Sequence, residues 1–367
     1  MAKVVDFVKK NAVMCIAFSA AVITAFIIPP DKEYIGYFDF KTLTCLFAVL
    51  AVVCALKNIG FFFSLAHTIV KRFRTARTCI LVLVYVTFIG SMFIANDMAL
   101  LTFLPLGYLV LSETGEEGYL AFTFIMQNIA ANLGGMLTPF GNPQNLYLYT
   151  KFNIPTLDFM GIMIIPFLIA VALITLCCMF VKKEPLNIRG EQTVLPKKRT
   201  VIYIMLFILA ILIVFRSIPY VIGLIVIPFV LFFMDRKALK QVDYPLLLTF
   251  VFFFIFAGNM ARIDSVKNLL SFLLQKNTLL FSVLSCQVIS NVPSAILLSQ
   301  FTSDYAPLLV GVNIGGTGTL IASLASLITF REYTRHYPNR IRRYLMLFSL
   351  FNFGFLIILT AIMSFMV

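Results

Sequence analysis

Apolar runs of about 16–25 residues, parted by short polar stretches, recur along the whole chain. A helix of that length spans roughly 30 Å of hydrocarbon. The runs fall at 12–30, 41–56, 118–149, 157–181, 200–215, 217–235, 244–261, 305–330 and 344–367, which predicts about nine crossings. Two further apolar blocks, 78–112 and 278–303, are each broken near the middle by polar residues. These read as re-entrant hairpins that enter and leave on one side. The first run follows Lys9-Lys10 and ends at Pro29-Pro30-Asp31-Lys32 with no small-x-small cleavage site, so it reads as a retained helix.

Charge decides between hairpins and simple crossings. With the N-terminus in the cytoplasm, 22 of the 29 Lys and Arg fall in cytoplasmic segments, the pattern that orients membrane proteins. Turning 78–112 into a crossing would put Lys182, Lys183 and Lys197–Arg199 outside. The hairpin reading then exposes a repeat. Each half offers two crossings, an amphipathic segment (58–75 in the first), a broken hairpin, a long crossing with an internal polar break, and a last crossing. The extra run 200–215 makes the second copy enter from the opposite face.

The expected architecture is an all-α polytopic membrane protein of two inverted-topology repeats. It has about nine crossings plus two re-entrant hairpins, with the N-terminus cytoplasmic and the C-terminus outside. Residues 1–181 form the first repeat with hairpin 78–112, and 182–199 a cytoplasmic linker. Residues 200–216 form an extra linking helix, and 217–367 the second repeat with hairpin 278–303. Paired interrupted helices in inverted halves are the sequence signature of secondary transporters.

Composition agrees with the membrane class: 61% hydrophobic, 12% charged, mean hydropathy +0.98. The net charge of +13 sits in short loops, so it reads as orientation rather than nucleic-acid binding. The seven cysteines lie in apolar stretches without CxxC spacing and read as small hydrophobes. His67 and His336 read as solvated or interfacial. No nucleophile–base arrangement and no Walker A loop appears, so neither an enzyme nor an ATP-driven pump is expected, and no cofactor.

Four polar breaks carry the candidate chemistry. They are Asn96-Asp97; the stretch from Asn132 through Gly134, Thr138, Gly141, Asn142 and Pro143; Ser290-Asn291 with Pro293 and Ser294; and Asn313 through Gly315, Gly316, Thr317 and Thr319. Gly and Pro clusters unwind helices, and unwound backbone at membrane depth persists only where protein or a water-filled cavity covers it. The freed carbonyls and Asn, Ser and Thr oxygens can bind a small cation, and the following helix N-termini an anion. The plainer reading is that Gly and Pro merely kink or pack helices. Four breaks at matching places favour a site.

Of sixteen acidic residues, only Asp97 falls well inside an apolar block. An unpaired carboxylate there costs several kcal/mol on the order-of-magnitude scale for buried ions. No Lys or Arg lies in the predicted hydrocarbon zone, which leaves Na⁺ or H⁺ as counter-charge. A purely structural role, capping the helix over MALLTFLPL, is the alternative.

At these residues the chain resembles the ion transporter superfamily. That group includes divalent-anion/sodium symporters, citrate transporter-like permeases, arsenite permeases and a class of sodium/proton antiporters. FIANDMALLTFLPL is similar to the Asn-Asp hairpin of the arsenite-permease branch. TPFGNPQN, SNVPSAIL and GVNIGG…IASLASLI resemble the superfamily's first loop, second hairpin and second loop. The resemblance covers about 45–335. It implies one cation site from Asn96, Asp97, Asn132 and the 138–143 loop. A symmetry mate would come from Ser290, Asn291, Ser294 and the 313–319 loop, with Asn313 among the Na⁺ ligands. Substrate would sit between the hairpin tips. The resemblance also implies elevator-like motion, and a homodimer in some relatives. The dicarboxylate branch carries Ser-Asn-Thr at both tips; here they read Asn96-Asp97-Met98 and Ser290-Asn291-Val292.

The expectation is a multi-pass protein of the cytoplasmic membrane. Its partners are the lipid bilayer and a small inorganic or organic anion, moved by symport with Na⁺ or H⁺. A Na⁺/H⁺ antiporter or arsenite-type efflux permease is the alternative within transport, and a structural membrane subunit the alternative outside it.

Overall fold

A computed structural model describes residues 11–70, 72–185 and 195–366. The N-terminal segment up to residue 10, expected in the cytoplasm, and the middle of the expected linker, 186–194, lie outside the described residues, as do five of the counted basic residues (Lys3, Lys9, Lys10, Lys71 and Arg189). Among the described residues the elements are helices, and a single isolated bridge pairs Thr75 with Pro185.

The first half runs α1 (Ala12–Ile27), α2 (Phe40–Asn58), α3 (Phe61–Val70), α4 (Ala76–Ile94), α5 (Asn96–Glu113), α6 (Leu120–Gly134), α7 (Pro143–Lys151) and α8 (Thr156–Met179). After it come α9 (Lys197–Val214), α10 (Tyr220–Met234), α11 (Arg236–Lys240), α12 (Tyr244–Ala261), α13 (Asp264–Ile289), α14 (Asn291–Leu298), α15 (Tyr305–Ile314), α16 (Leu324–His336) and α17 (Ile341–Met363). Among the described residues, seven helical segments are long and apolar enough to cross a membrane, α4 and α13 among them. The runs read at 12–30 and 217–235 shrink to helices of 16 and 15 residues. Pro29-Pro30 stops α1, with Ile28 already extended, because Pro lacks the donor that a helix interior needs. Asp235 stops α10 and caps α11 by accepting from the Ala238 N–H.

Each hairpin turns on one residue. Ala95 (φ 62°, ψ 148°) joins α4 to α5, and Ser290 (φ 73°, ψ 159°) joins α13 to α14. This region favours glycine, and a side chain there costs about 1–3 kcal/mol that the surroundings must offset. α13 itself breaks at Asn277, whose Oδ1 accepts from the Leu280 N–H at 2.8 Å and starts the arm that leads to the tip. The return arms are unequal, 18 residues in α5 against 8 in α14, a difference the motif alignment does not show.

α6 and α7 form the centre, and every residue from 123 to 149 is buried. α6 lies against α4, α5, α8, α16 and α17. Gly134 makes this possible: a Cβ there would strike the Phe88 carbonyl of α4. α8 lies at the rim. It buries only Phe159, Met163, Pro166, Ala170, Ile174 and Cys178, one stripe at helical spacing, and leaves Leu168 and Leu176 exposed. His67 departs from expectation. It is buried, with Ala66 and Val70, because that face of α3 lies on α2, α4 and α5. His336 is half-buried, stacked on Tyr108 and paired with Glu332.

Candidate functional site

The two hairpin tips meet the two broken helices around one cavity. Asn96, Asp97, Ser290, Asn291 and Pro293 line it from the tips, and Pro143 and Gln144 from the start of α7. Asp243 and Arg331 reach its wall from the polar segments that precede α12 and lie within α16. Its space of about 120 Å³ holds a small solute with some of its water, since one water needs about 10–15 Å³.

The first tip is built by its own amide. The Asn96 Oδ1 accepts from the Asp97 N–H at 2.9 Å, and its Nδ2 donates to the Asn132 Oδ1 of α6 at 3.2 Å. The second tip repeats the turn: the Asn291 Oδ1 accepts from the Val292 N–H at 2.9 Å. The Asn291 amide and the Asn132 amide that Asn96 engages both face Gly316, where a Cβ would lie 3.1 Å from the Asn291 Nδ2 and 3.5 Å from the Asn132 Oδ1. Asp97 caps nothing. Ala95 is the cap position of α5 and makes no side-chain bond, and the Asp97 Oδ1 is buried without a hydrogen-bond partner. The capping role open to Asp97 on sequence grounds is therefore not the one its carboxylate fills.

The broken helices lock into one another through amides. Asn313 donates to the Asn145 Oδ1 at 2.6 Å and to the Leu309 carbonyl, and its Oδ1 accepts from Asn142 (3.2 Å) and Gln144 (3.4 Å). Asn145 in turn donates to the carbonyls of Gly135, Met136 and Thr138. Deeper in, Asn128 donates to Ser326 and to Asn352 of α17, both at 3.3 Å. Buried amide networks of this kind favour one arrangement of helices. The Asn142 and Gln144 side-chain oxygens are the unsatisfied members.

Other candidate residues serve locally. Ser294 pairs with Ser285 inside its own hairpin (2.8 Å), and the Thr317 hydroxyl donates to the Ile314 carbonyl. Gly141 packs on the Gly135 carbonyl and Gly315 on Cys286. Thr138 and Thr319 tie their loops to the hairpin arms, donating to the carbonyls of Met92 (2.6 Å) and Gln287 (3.1 Å). Asn128, Gln287, Asn352, Asp243 and Arg331 are absent from the sequence-based set. A lone amide inside an apolar run was the available signal for the first three.

On the far side of the tips, α7 meets the end of α14. Tyr147 and Ser299 share a hydrogen bond of 2.9 Å, Gln300 donates to the Tyr147 oxygen at 3.3 Å, and Lys151 donates to Gln300 at 3.0 Å.

Comparison with known proteins gives the family. The chain belongs to the citrate transporter family (CitMHS), whose model matches residues 3–309. The uncharacterized transporter MJ0456 of Methanocaldococcus jannaschii is 34% identical over 88% of this chain and 89% of its own. The inner membrane protein YbiR of Escherichia coli is 29% identical, covering 84% of each. The silicon efflux transporter LSI3 of Oryza sativa subsp. japonica is 30% identical over 43% of this chain and 32% of its own. In structure, the YdaH transporter of Alcanivorax borkumensis superposes with a TM-score of 0.52, covering 91% of this chain at 12% identity, a likeness of fold. The protein is a multi-pass membrane transporter of this family.

Proposed function

We propose that the protein is a secondary active transporter that couples movement of a small oxyanion, or its neutral oxyacid, to Na⁺ or H⁺ at Asp97. One observation carries the reading: the Asp97 Oδ1 is buried, unpartnered, and on the wall of the cavity that both tips line. A buried acid without a partner needs a mobile counter-ion. The tips supply amide and hydroxyl groups for a small oxygen-rich solute, and Arg331 stands on the same wall. Two carboxylates, Asp97 and Asp243, share that wall, which disfavours a multiply charged carboxylate unless a cation accompanies it.

The halves act as inverted copies in this reading. The near-identical backbone at Ala95 and Ser290 and the paired Thr138 and Thr319 bonds support it. The cavity shares its wall with Asp243 and Arg331, which lie in the basic stretches 236–243 and 331–343 expected in the cytoplasm, and this supports reading the arrangement as inward-open. Solute uptake into proteoliposomes, driven separately by Na⁺ and pH gradients, tests the proposal. Flux indifferent to both gradients refutes coupling.

Efflux of an uncharged oxyacid by exchange with H⁺ is the second reading. The relative named as a silicon efflux transporter favours it. Reversing the pH gradient in the same vesicles, with silicic acid or arsenite as solute, separates exchange from symport.

A further inference from the structure

The two hairpins are fastened to their broken helices by different chemistry. Gln287 lies three residues before the second tip. Its Nε2 donates to the carbonyls of Gly315 (2.9 Å) and Thr317 (3.1 Å), and its Oε1 accepts from the Thr319 N–H (2.9 Å). The last bond fixes which way the amide points, because only the oxygen can accept. Gly318, at φ 111°, leaves room for it; a Cβ there would strike the Oε1. The Ser290 hydroxyl and the Asn291 N–H both donate to the Ala322 carbonyl, at 3.2 and 2.9 Å.

The first half has little of this. Met92 occupies the place of Gln287, three residues before its tip, and has no donor. Asn145 satisfies loop carbonyls there and accepts from Asn313 of the other half, and none of these bonds reaches the hairpin, whose tip is held by one bond from Asn96 to Asn132 and one from Thr138 to the Met92 carbonyl. Two residues beyond the tip, where the second half has Val292, the first half has Asp97 with its unpartnered oxygen.

We infer that Gln287 does permanently in the second half what a cation does in the first: it bridges the hairpin to the carbonyl oxygens of the broken helix, so the second half takes no coupling ion and each cycle carries one, at Asp97. The inference rests on the ion-coupled reading above. An amide N–H₂ aimed at two carbonyl oxygens presents them with positive charge, as a bound Na⁺ would. Because it is part of the chain, that fastener never dissociates. The hairpin held by Gln287 stays closed on its helix at every ion concentration, while the hairpin that carries Asp97 closes only when loaded.

The test uses the full chain in lipid nanodiscs. Bound sodium is counted with the radiolabelled ion, and thermal midpoints are read in NaCl against choline chloride across a range of pH. The wild type binds at most one Na⁺ per chain, and Asp97→Asn removes the ion and pH dependence of the midpoint. Adding Gln287→Glu to Asp97→Asn sets a carboxylate against the Gly315 and Thr317 oxygens. That protein regains a dependence, its midpoint rising by about 3 °C or more with Na⁺ or on acidification. Two sodium ions per wild-type chain overturn the inference, as does an Asp97→Asn protein that keeps its full ion dependence. A folded double variant indifferent to both ions overturns it too. Should that variant not fold, the sodium count decides. A wild type indifferent to both ions, beside a Gln287→Glu protein that responds, sinks the coupling at Asp97 and leaves the cation-like role of Gln287 standing.

Discussion

α6 with α7, and α8, are consecutive in the chain and opposite in character. The first pair buries Gln127, Asn128, Asn132, Asn142, Gln144 and Asn145, and the second element buries no amide at all. A soluble protein would sort them the other way. In lipid, a backbone group or amide without a partner costs several kcal/mol, so polar side chains must collect where they can satisfy one another, and the helix without amides is left at the rim. In this protein the amide-rich helices are the interior and the one without amides the wall.

Breaking the polar centre has the largest effect. Asp97→Asn leaves insertion and folding intact and lowers transport on the order of 100-fold, equal to roughly 2.7 kcal/mol in a barrier; flux and expression in the same vesicles check it. Asn145→Ala strands the carbonyls of Gly135, Met136 and Thr138 and one donor of Asn313, and costs about 2–3 kcal/mol of stability, read by thermal unfolding in detergent. Gly134→Ala pushes α6 off the Phe88 carbonyl and costs about 1–3 kcal/mol by the same measurement. At the wall, Leu168→Ala and Leu176→Ala change stability by no more than about 0.5 kcal/mol, since both side chains are exposed. If those two matter as much as Asn145, the contrast between centre and wall is wrong.

The smallest effect belongs to an ion pair outside both regions. Arg262, after α12, contacts Asp31, before the first short turn, at 2.7 Å. The hydrogen bond from Arg262 holds the Asp31 carboxyl below its ordinary value. A depressed carboxylate stabilises the fold above that ordinary value and loses its contribution as the pH falls through the lowered one. Asp31→Asn therefore differs slightly from the wild type at neutral pH and not at all in strong acid, and it is weakened by salt.

Much of the fold was legible because lipid imposes a coarse rule: a crossing must be apolar and long enough. The helical class, the breaks at 95 and 290 and the unwound stretches after Asn132 and Asn313 all follow from where Gly, Pro and Asn interrupt that rule. The end of the second hairpin near 303 follows from the polar stretch after Leu298, but the tight eight-residue length of α14 was not separated from the block, because SNVPSAIL looks as good a helix start as NDMALLTF does. Partnerships were not legible either. Asn128 meets Asn352 across 224 positions, and Gln287 meets Thr317 across 30, and a single amide in an apolar run names no partner. Asp243 and Arg331 sit in segments that read as solvated loop, and only the fold turns them toward the cavity.

The contact of Tyr147, Ser299, Gln300 and Lys151 behind the tips has a consequence for the speed of the molecule. These are hydroxyls, an amide and one ammonium, and each can exchange its partner for water at a net cost of about 1 kcal/mol per bond. Under the proposed alternating-access cycle, contacts of that make part by thermal agitation alone, and the rate of reopening is left to whatever occupies the cavity between the tips.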